Sequence, residues 1–133
     1  KSRNLAVTAI ALAALASMVG GCQDTVSDKD ITRIGVADVQ RLSKDSGRVM
    51  ILDPRPSDQY ARGHLPGAVN VPLDTLPSTK GTLRPDLASP KVVIVYGDNP
   101  GDGYAVAATK RLLRAGQSGA RLFSGNAAGL GKL

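Results

Sequence analysis

The most constraining feature of this chain is an uninterrupted apolar run at residues 92–96, preceded by Lys91. A strand with one face in water alternates apolar and polar residues, whereas a strand covered on both faces does not. The run therefore predicts a buried strand at 91–96 in a parallel sheet with helices on both sides. A helical pattern follows at 104–115 and ends at Gly116, which favours an α/β fold.

Strand and helix patterns alternate along the rest of the chain. They predict an extended segment at 32–34, a helix at 36–44, a buried strand at 48–52, a helix at 57–62, a strand at 68–71, a helical turn at 73–76 and a last strand at 120–123. Residues 77–90 are rich in Pro, Ser, Thr and Gly and are expected to form a loop. In the helix at 104–115 we expect three apolar residues to face inward and three bases to face outward: Val106, Leu112 and Leu113, and Lys110, Arg111 and Arg114.

Residues 51–73 read ILDPRPSDQYARGHLPGAVNVPL, and several short motifs follow one another there in a fixed order. They are Leu52-Asp53-Pro54-Arg55, Gln59-Tyr60, Gly63-His64-Leu65-Pro66-Gly67-Ala68 and Asn70-Val71-Pro72. This stretch resembles one half of the signature of the rhodanese family of sulfur-transfer domains. The resemblance implies a rhodanese-like three-layer fold over residues 31–133, with a mainly parallel central sheet flanked by helices.

The motif residues are expected to be structural. Asp53 and Arg55 follow a buried strand, where an ion pair or backbone hydrogen bonds holding the loop are favoured over catalysis. Tyr60 is expected to pack in the core, and His64 has no Cys or Ser partner to activate. We assign the same structural role to the remaining motif residues, Gly63, Pro66 and Gly67.

The loop at 97–103 lies where an open α/β sheet collects its ligands, beyond the carboxyl end of a strand. The resemblance implies that this strand ends in a Cys, which carries sulfane sulfur as a persulfide within a cradle of backbone N–H groups. Gly97 stands at that position, and the loop contains no Ser, Thr or Cys. It consists of Gly97, Asp98, Asn99, Pro100, Gly101, Asp102 and Gly103.

Three features of this loop oppose sulfur transfer. Gly97 offers no nucleophile, two Asp side chains oppose an anionic persulfide, and Pro100 removes one N–H donor. We therefore expect no catalytic residue and no cofactor, and we interpret the loop as a degenerate surface turn. Alternatives are calcium binding by Asp98, Asn99 and Asp102, a sulfurtransferase that uses a partner's thiol, and a hydrolase that uses the Asp-rich loop.

Composition excludes several other classes of site. All 11 acidic residues are Asp, which removes zinc motifs that need Glu, and one His with one Cys cannot supply a protein-ligated transition metal. The net charge is +6, but the bases are scattered along the sequence and no aromatic stacking platform accompanies them. Nucleic-acid binding is therefore not expected. A solvated basic face is favoured, with weak attraction to an anionic membrane surface as the alternative.

The amino-terminal segment is typical of a targeting sequence. Lys1 and Arg3 precede an apolar run at 5–19, which predicts a signal peptide at 1–21. The end of this run, Val19-Gly20-Gly21-Cys22, resembles a bacterial lipobox, so Cys22 is expected to be lipidated and 22–30 to form a polar tether. The sequence thus predicts a noncatalytic, lipid-anchored binding module in the bacterial cell envelope with an unidentified protein partner. Gln23 favours the periplasmic face of the outer membrane.

Overall fold

The structure is a computed structural model that describes residues 25–44 and 48–130. The predicted signal peptide, the predicted lipidation of Cys22 and the predicted end of the first helix at Ser46-Gly47 lie outside these residues. The strands are β1 Arg33–Ile34, β2 Val49–Asp53, β3 Val69–Asn70, β4 Val92–Val95 and β5 Ala120–Phe123. The helices are α1 Val36–Ser43, α2 Ser57–Arg62, α3 Pro85–Ala88, α4 Gly103–Arg114 and α5 Ala127–Leu130, with 3-10 helices at Asp28–Asp30 and Leu73–Thr75.

The five strands form one sheet in the order β1-β5-β4-β2-β3, and every pair is parallel. This confirms the predicted α/β class with its parallel sheet. The first residue of β2, Val49, is paired with the first residue of β4, Val92. All strands therefore begin at one side of the sheet, which we call the amino edge, and end at the opposite side, the carboxyl edge.

Two apolar clusters cover the two faces of the sheet. On β4, Val93 and Val95 belong to one cluster, whereas Ile94 and the following Tyr96 belong to the other. This is why the run at 92–96 is apolar at every position: both faces of its strand are buried. The fully buried residues of both clusters lie between Ile31 and Phe123, so the chain from residue 25 onward contains the whole described core.

The predicted loop at 77–90 is wrong in part, because it contains helix α3. Pro85 begins this helix, where its fixed φ is compatible with the first turn and its missing N–H has no intrahelical partner to lose. Leu87 packs into the core with 2% of its surface exposed. The side chain of Gln117 then donates to the carbonyls of Leu87 (2.6 Å) and Pro90 (3.1 Å). The sequence did not indicate this short helix because Pro and Ser are frequent in the segment. The buried side chain of Leu87 anchors the helix on the core.

Helix α4 packs on the core with its predicted apolar residues and with smaller ones. Leu112 is fully buried, Val106 and Leu113 are partly buried and pack against the core, and the other buried residues are Ala105, Ala108 and Thr109. Small residues on this face let the helix approach the sheet closely. Arg111 does not point freely into solvent: one of its Nη atoms donates to the carbonyls of residues 73 (2.7 Å) and 76 (3.1 Å). Across the described ranges, no helix is both long and apolar enough to cross a membrane.

Candidate functional site

The candidate site lies at the carboxyl edge, where the loop at 97–102 joins β4 to α4 and the loop after β2 lies beside it. Asn70 fixes this second loop, since its side-chain amide donates to the carbonyls of Asp53 (3.1 Å) and Arg55 (2.9 Å). The site is thus assembled from the ends of two neighbouring strands that the register of the sheet brings together.

Asp53 and Arg55 form a buried ion pair at the end of β2. Asp53 is fully buried and Arg55 is 8% exposed. The carboxylate accepts from the backbone N–H of Arg55 (3.0 Å), from its Nε (3.0 Å) and from one Nη (2.6 Å). Together these hydrogen bonds hold the loop after β2 in one conformation. The pair has the geometry of a structural clamp.

Tyr96 connects this clamp to β4. Its hydroxyl donates to Asp53 Oδ2 (2.6 Å) and accepts from the backbone N–H of Leu65 (3.0 Å), and its ring lies 5.8 Å from the guanidinium carbon of Arg55. Burial raises the pKa of Tyr96, and its hydrogen bond to Asp53 raises it further. Burial alone would raise the pKa of Asp53, but hydrogen bonds from Arg55 and Tyr96 hold it below its ordinary value. The carboxylate is therefore ionised at neutral pH.

The loop after β4 is attached to the same clamp. Arg55 donates to Asp98 (2.6 Å) and to the carbonyl of Gly63 (2.9 Å). Its hydrogen bond to Asp53 raises the pKa of Arg55. Asp98 itself is exposed over 60% of its side chain. The one buried cation of the site is thus shared between two carboxylates, and one of them lies at the surface of the loop.

The interior of the loop is occupied by the side chain of Asp102. This carboxylate accepts from the backbone N–H of Ala105 (3.0 Å), capping α4, and from that of Asp98 (3.3 Å). A Cβ built on Gly97 would overlap Cβ and Cγ of Asp102 and would lie 2.7 Å from its Oδ1. Gly97 has no positive φ, so this overlap, rather than backbone geometry, requires glycine here.

Two further N–H donors of the loop are also used within it. The N–H of Gly101 donates to the side chain of Asn99 (2.9 Å), and the N–H of Asp102 donates to the carbonyl of Asn99 (3.1 Å). Pro100 has no N–H to offer. Acceptors of the loop thus occupy three of its own N–H donors, those of Asp98, Gly101 and Asp102, and Asp102 supplies the negative charge at its centre.

The other motif residues form a second, smaller structural unit. The Tyr60 hydroxyl donates to the carbonyl of Ala68 (2.7 Å), and the His64 ring stacks on Tyr60 with centroids 3.7 Å apart. His64 is exposed, its Nδ1 lies 2.9 Å from the carbonyl of Tyr60, and Tyr60 is only partly buried. Gly67 has a φ of 76°, which favours glycine in the turn before β3.

Two open cavities flank the clamp at the carboxyl edge. One, of about 510 Å³, is lined by Pro54, Pro72 and the exposed ring of Tyr104, and the other, of about 420 Å³, by Arg55, Arg62 and Asp98. Among the described residues, no group of three His, Cys, Asp or Glu side chains is placed to hold a metal ion. The arrangement provides fixed charges and hydrogen-bond donors around a loop without a nucleophilic side chain.

Sequence reasoning located the motif residues and the loop but missed the connections between them. The structure brings Asp53, Arg55 and Asp98 together, whereas His64 remains apart with Tyr60. Tyr96 was expected only as part of a strand. Its position as the last apolar residue of a buried strand, with a hydroxyl that needs a partner, was the signal that could have identified it.

Comparison with known proteins places this geometry in a family. The family model described as Rhodanese-like domain matches residues 36–129. The HTH-type transcriptional regulator Rv0324 of Mycobacterium tuberculosis is 30% identical over 73 residues, which are 55% of this chain and 28% of the regulator. The chain thus spans only about a quarter of the length of the curated relatives it matches.

Solved structures agree on the fold. A protein of unknown function from Rhodopseudomonas palustris, RPA3614, described as a possible tyrosine phosphatase, has a TM-score of 0.59 at 22% identity, with 74% of this chain and 77% of that chain covered. The 3-mercaptopyruvate sulfotransferase SseA from Escherichia coli has a TM-score of 0.51 at 22% identity, with 76% of this chain and 44% of SseA covered.

Proposed function

The chain belongs to the rhodanese-like domain family, and we propose that it is a noncatalytic member, which acts as a binding module tethered to a membrane of the bacterial cell envelope. Sulfur transfer in this family needs a thiolate at the start of the loop after the central strand. By the resemblance of the sequence, that position is Gly97. The observation that carries the proposal is the side chain of Asp102, which lies where the side chain of residue 97 would project.

The charges around the loop support the same proposal. A persulfide or a thiosulfate ion is anionic and needs uncommitted N–H donors or cations. Asp102 is itself an anion in the loop, and Asp98 adds a second one at its surface. Arg55, the nearest buried cation, already contacts Asp53, Asp98 and the carbonyl of Gly63. An incoming anion would therefore compete with carboxylates that belong to the chain.

The relatives are consistent with use of this domain as a module. The regulator from M. tuberculosis is matched over less than a third of its length, so the similar segment is one part of a larger protein there. In this chain we propose that lipidation of Cys22 supplies the attachment and that the domain supplies the recognition surface. Mass spectrometry of Cys22 in the membrane fraction tests the attachment, and an unmodified thiol would contradict it.

A sulfur-transfer assay tests the absence of catalysis. The chain from residue 25 onward, incubated with thiosulfate and cyanide, is expected to produce no thiocyanate above the buffer blank. The same assay is repeated with added small thiols, because an enzyme that uses a partner's thiol would become active under that condition. Turnover in either arm would refute the noncatalytic assignment.

Two variants test the reason for the inactivity. A thiolate at position 97 would attack the sulfane sulfur of thiosulfate, forming a persulfide and releasing sulfite. We expect Gly97→Cys alone not to be loaded, because Asp102 occupies the space and repels the anion. The double variant Gly97→Cys and Asp102→Gly, which removes the Cβ of Asp102 as well as its carboxylate, is expected to gain the mass of one sulfur atom. Gly101→Cys with Asp102→Gly is the matched control, since its thiol lies outside the loop interior.

A further inference from the structure

Bases that are distant in sequence come together at the amino edge of the sheet. Arg48 directly precedes β2 and Lys91 directly precedes β4, and these strands are neighbours that start in register. The N–H of Val92 donates to the carbonyl of Arg48 (3.1 Å). Because neighbouring strands lie about 4.8 Å apart, the two exposed bases leave the sheet side by side.

Two further bases extend this pair. Arg121 on β5 turns back toward the amino edge, where its Nη1 donates to the carbonyls of Ser118 (2.8 Å) and Ala120 (2.9 Å). Lys44 follows the last residue of α1, the helix that returns from the carboxyl edge to the start of β2. We call Lys44, Arg48, Lys91 and Arg121 the basic row.

The described carboxylates on neighbouring segments are already paired elsewhere. Asp28 contacts Lys110 (2.6 Å), and Asp86 on α3 contacts Arg84 (2.9 Å). Asp30 accepts from the backbone N–H and the hydroxyl of Ser27. Within the part of the chain that the structure describes, none of these three carboxylates forms an ion pair with the basic row. Asp45, which follows Lys44 in the sequence, lies outside the described residues, and the four bases outnumber it.

The opposite edge carries several carboxylates. Asp98 and Asp102 lie in the loop after β4, and Asp74 lies in the 3-10 helix after β3, all at the carboxyl edge. The bases at that edge, Arg55 and Arg62, are each paired with a carboxylate of the same edge. An anionic surface would therefore attract the basic row more strongly than the carboxyl edge, which favours one orientation.

We propose that the basic row docks this domain on an anionic lipid surface. Each Lys or Arg near such a surface contributes about 1 kcal/mol, which corresponds to roughly fivefold in affinity per base. A nucleic acid is disfavoured because the chain has only three Tyr and one Phe. Phe123 and Tyr96 are buried, and Tyr104 lies at the carboxyl edge, so no exposed aromatic ring accompanies the basic row to stack on bases.

The path of the chain agrees with this orientation. β1 is parallel to the other strands, so the residues that precede it approach from the amino edge. The 3-10 helix Asp28–Asp30 is held there by the ion pair to Lys110. The described chain therefore enters the sheet on the same side as the basic row. The inference itself needs no lipid anchor, so it can be tested separately from the proposed function.

Vesicle binding of the chain from residue 25 onward, which lacks Cys22 and keeps the whole described core, is the test. Cosedimentation is measured with phosphatidylcholine vesicles and with vesicles of equal parts phosphatidylcholine and phosphatidylglycerol. We expect binding only to the mixed vesicles, decreasing steeply as the salt concentration rises to about 0.15 M because screening shortens the range of the attraction. Absence of binding at low salt would overturn the proposal.

Two charge reversals locate the contact. Arg48→Glu and Arg62→Glu change the net charge equally, but Arg62 lines the cavity at the carboxyl edge. Arg48→Glu is expected to weaken binding roughly 5- to 30-fold, and Arg62→Glu by less than about twofold. Lys91→Glu is a second reversal in the basic row if Arg48→Glu unfolds. If Arg48→Glu and Arg62→Glu weakened vesicle binding equally, docking by the basic row would be refuted. Tighter binding to a DNA duplex than to the vesicles at the same salt concentration would refute it as well.

Discussion

Adding a single methyl group at position 97 is expected to destabilise the domain by about 2 to 4 kcal/mol. A Cβ there overlaps Cβ and Cγ of Asp102, so the carboxylate must leave the loop and the backbone that carries its Cβ must shift, which costs about 1 to 3 kcal/mol. The move loses the cap on Ala105, which contributes about 1 kcal/mol, and the weaker hydrogen bond from Asp98, about 0.5 kcal/mol or more. Lower entropy of the unfolded Ala chain returns about 0.4 to 1 kcal/mol.

A double-mutant cycle separates this mechanism from a general intolerance of side chains in the loop. Asp102→Gly removes the same side chain together with its Cβ and is expected to cost less than about 1 kcal/mol by itself, because glycine is tolerated at an N-cap. In the Asp102→Gly background the space is free, so Gly97→Ala should then cost about zero. The two substitutions are therefore expected to be non-additive by about 2 to 4 kcal/mol, as measured by urea unfolding at neutral pH.

Gly101→Ala is the matched control for this cycle. The nearest atom to a Cβ on Gly101 is Asn99 Oδ1 at 3.6 Å, an ordinary contact, and its φ is not positive. We expect its stability to remain within about 0.5 kcal/mol of the unmodified domain. If Gly97→Ala were as stable as Gly101→Ala, or if its cost were unchanged without the Asp102 carboxylate, the occupied loop would be refuted.

Two other perturbations test the clamp and the helix contacts. Asp53→Asn is expected to cost about 3 to 5 kcal/mol at pH 7 in urea unfolding, because it leaves Arg55 buried without its main partner. The folded pKa of Asp53 is below its unfolded value of about 3.9, so its stabilisation is present above that pH and is lost as the pH falls through the folded pKa. The difference between Asp53→Asn and the parent should therefore shrink below about pH 4, and a constant difference would contradict the assignment. Arg111→Met should cost about 2 kcal/mol of unfolding free energy, because two backbone carbonyls lose a charged donor. Arg114→Met is the control and should cost less than about 0.5 kcal/mol, because its one carbonyl contact is exposed. Equal shifts in the melting temperature of the two variants would contradict this.

Sequence patterns predicted the strands and the longer helices well, because burial imposes a regular apolar period on them. The continuous run of β4 and the motif around Tyr60 were sufficient for the fold class and the family. Helix α3 was missed since its four residues are too few to show a period. On α4 the inward Val106, Leu112 and Leu113 were predicted, but the small buried residues beside them were missed, because Ala and Thr can be buried as completely as Leu when a helix lies close to a sheet.

The candidate site shows a different limit of sequence reasoning. The absence of a nucleophile at Gly97 is a property of one residue and can be recognised directly in the sequence. That the Asp102 side chain occupies the space beside Gly97 cannot, because it depends on where a side chain five positions later projects. The same is true of the clamp, in which Arg55 contacts an Asp 43 positions away. Such contacts follow from the geometry of strand ends, which no local pattern contains.

The distribution of charge follows from topology in the same way. Residues that precede parallel strands meet at the amino edge, and residues that follow them meet at the carboxyl edge, however far apart they are in sequence. Four bases that are far apart in this sequence therefore come together in the basic row, while Asp98 and Asp102 lie at the opposite end. A uniformly basic domain would bind an anionic surface in many orientations. Contact through the basic row, as proposed, would leave the loop at 97–102 and its two flanking cavities facing away from the lipid.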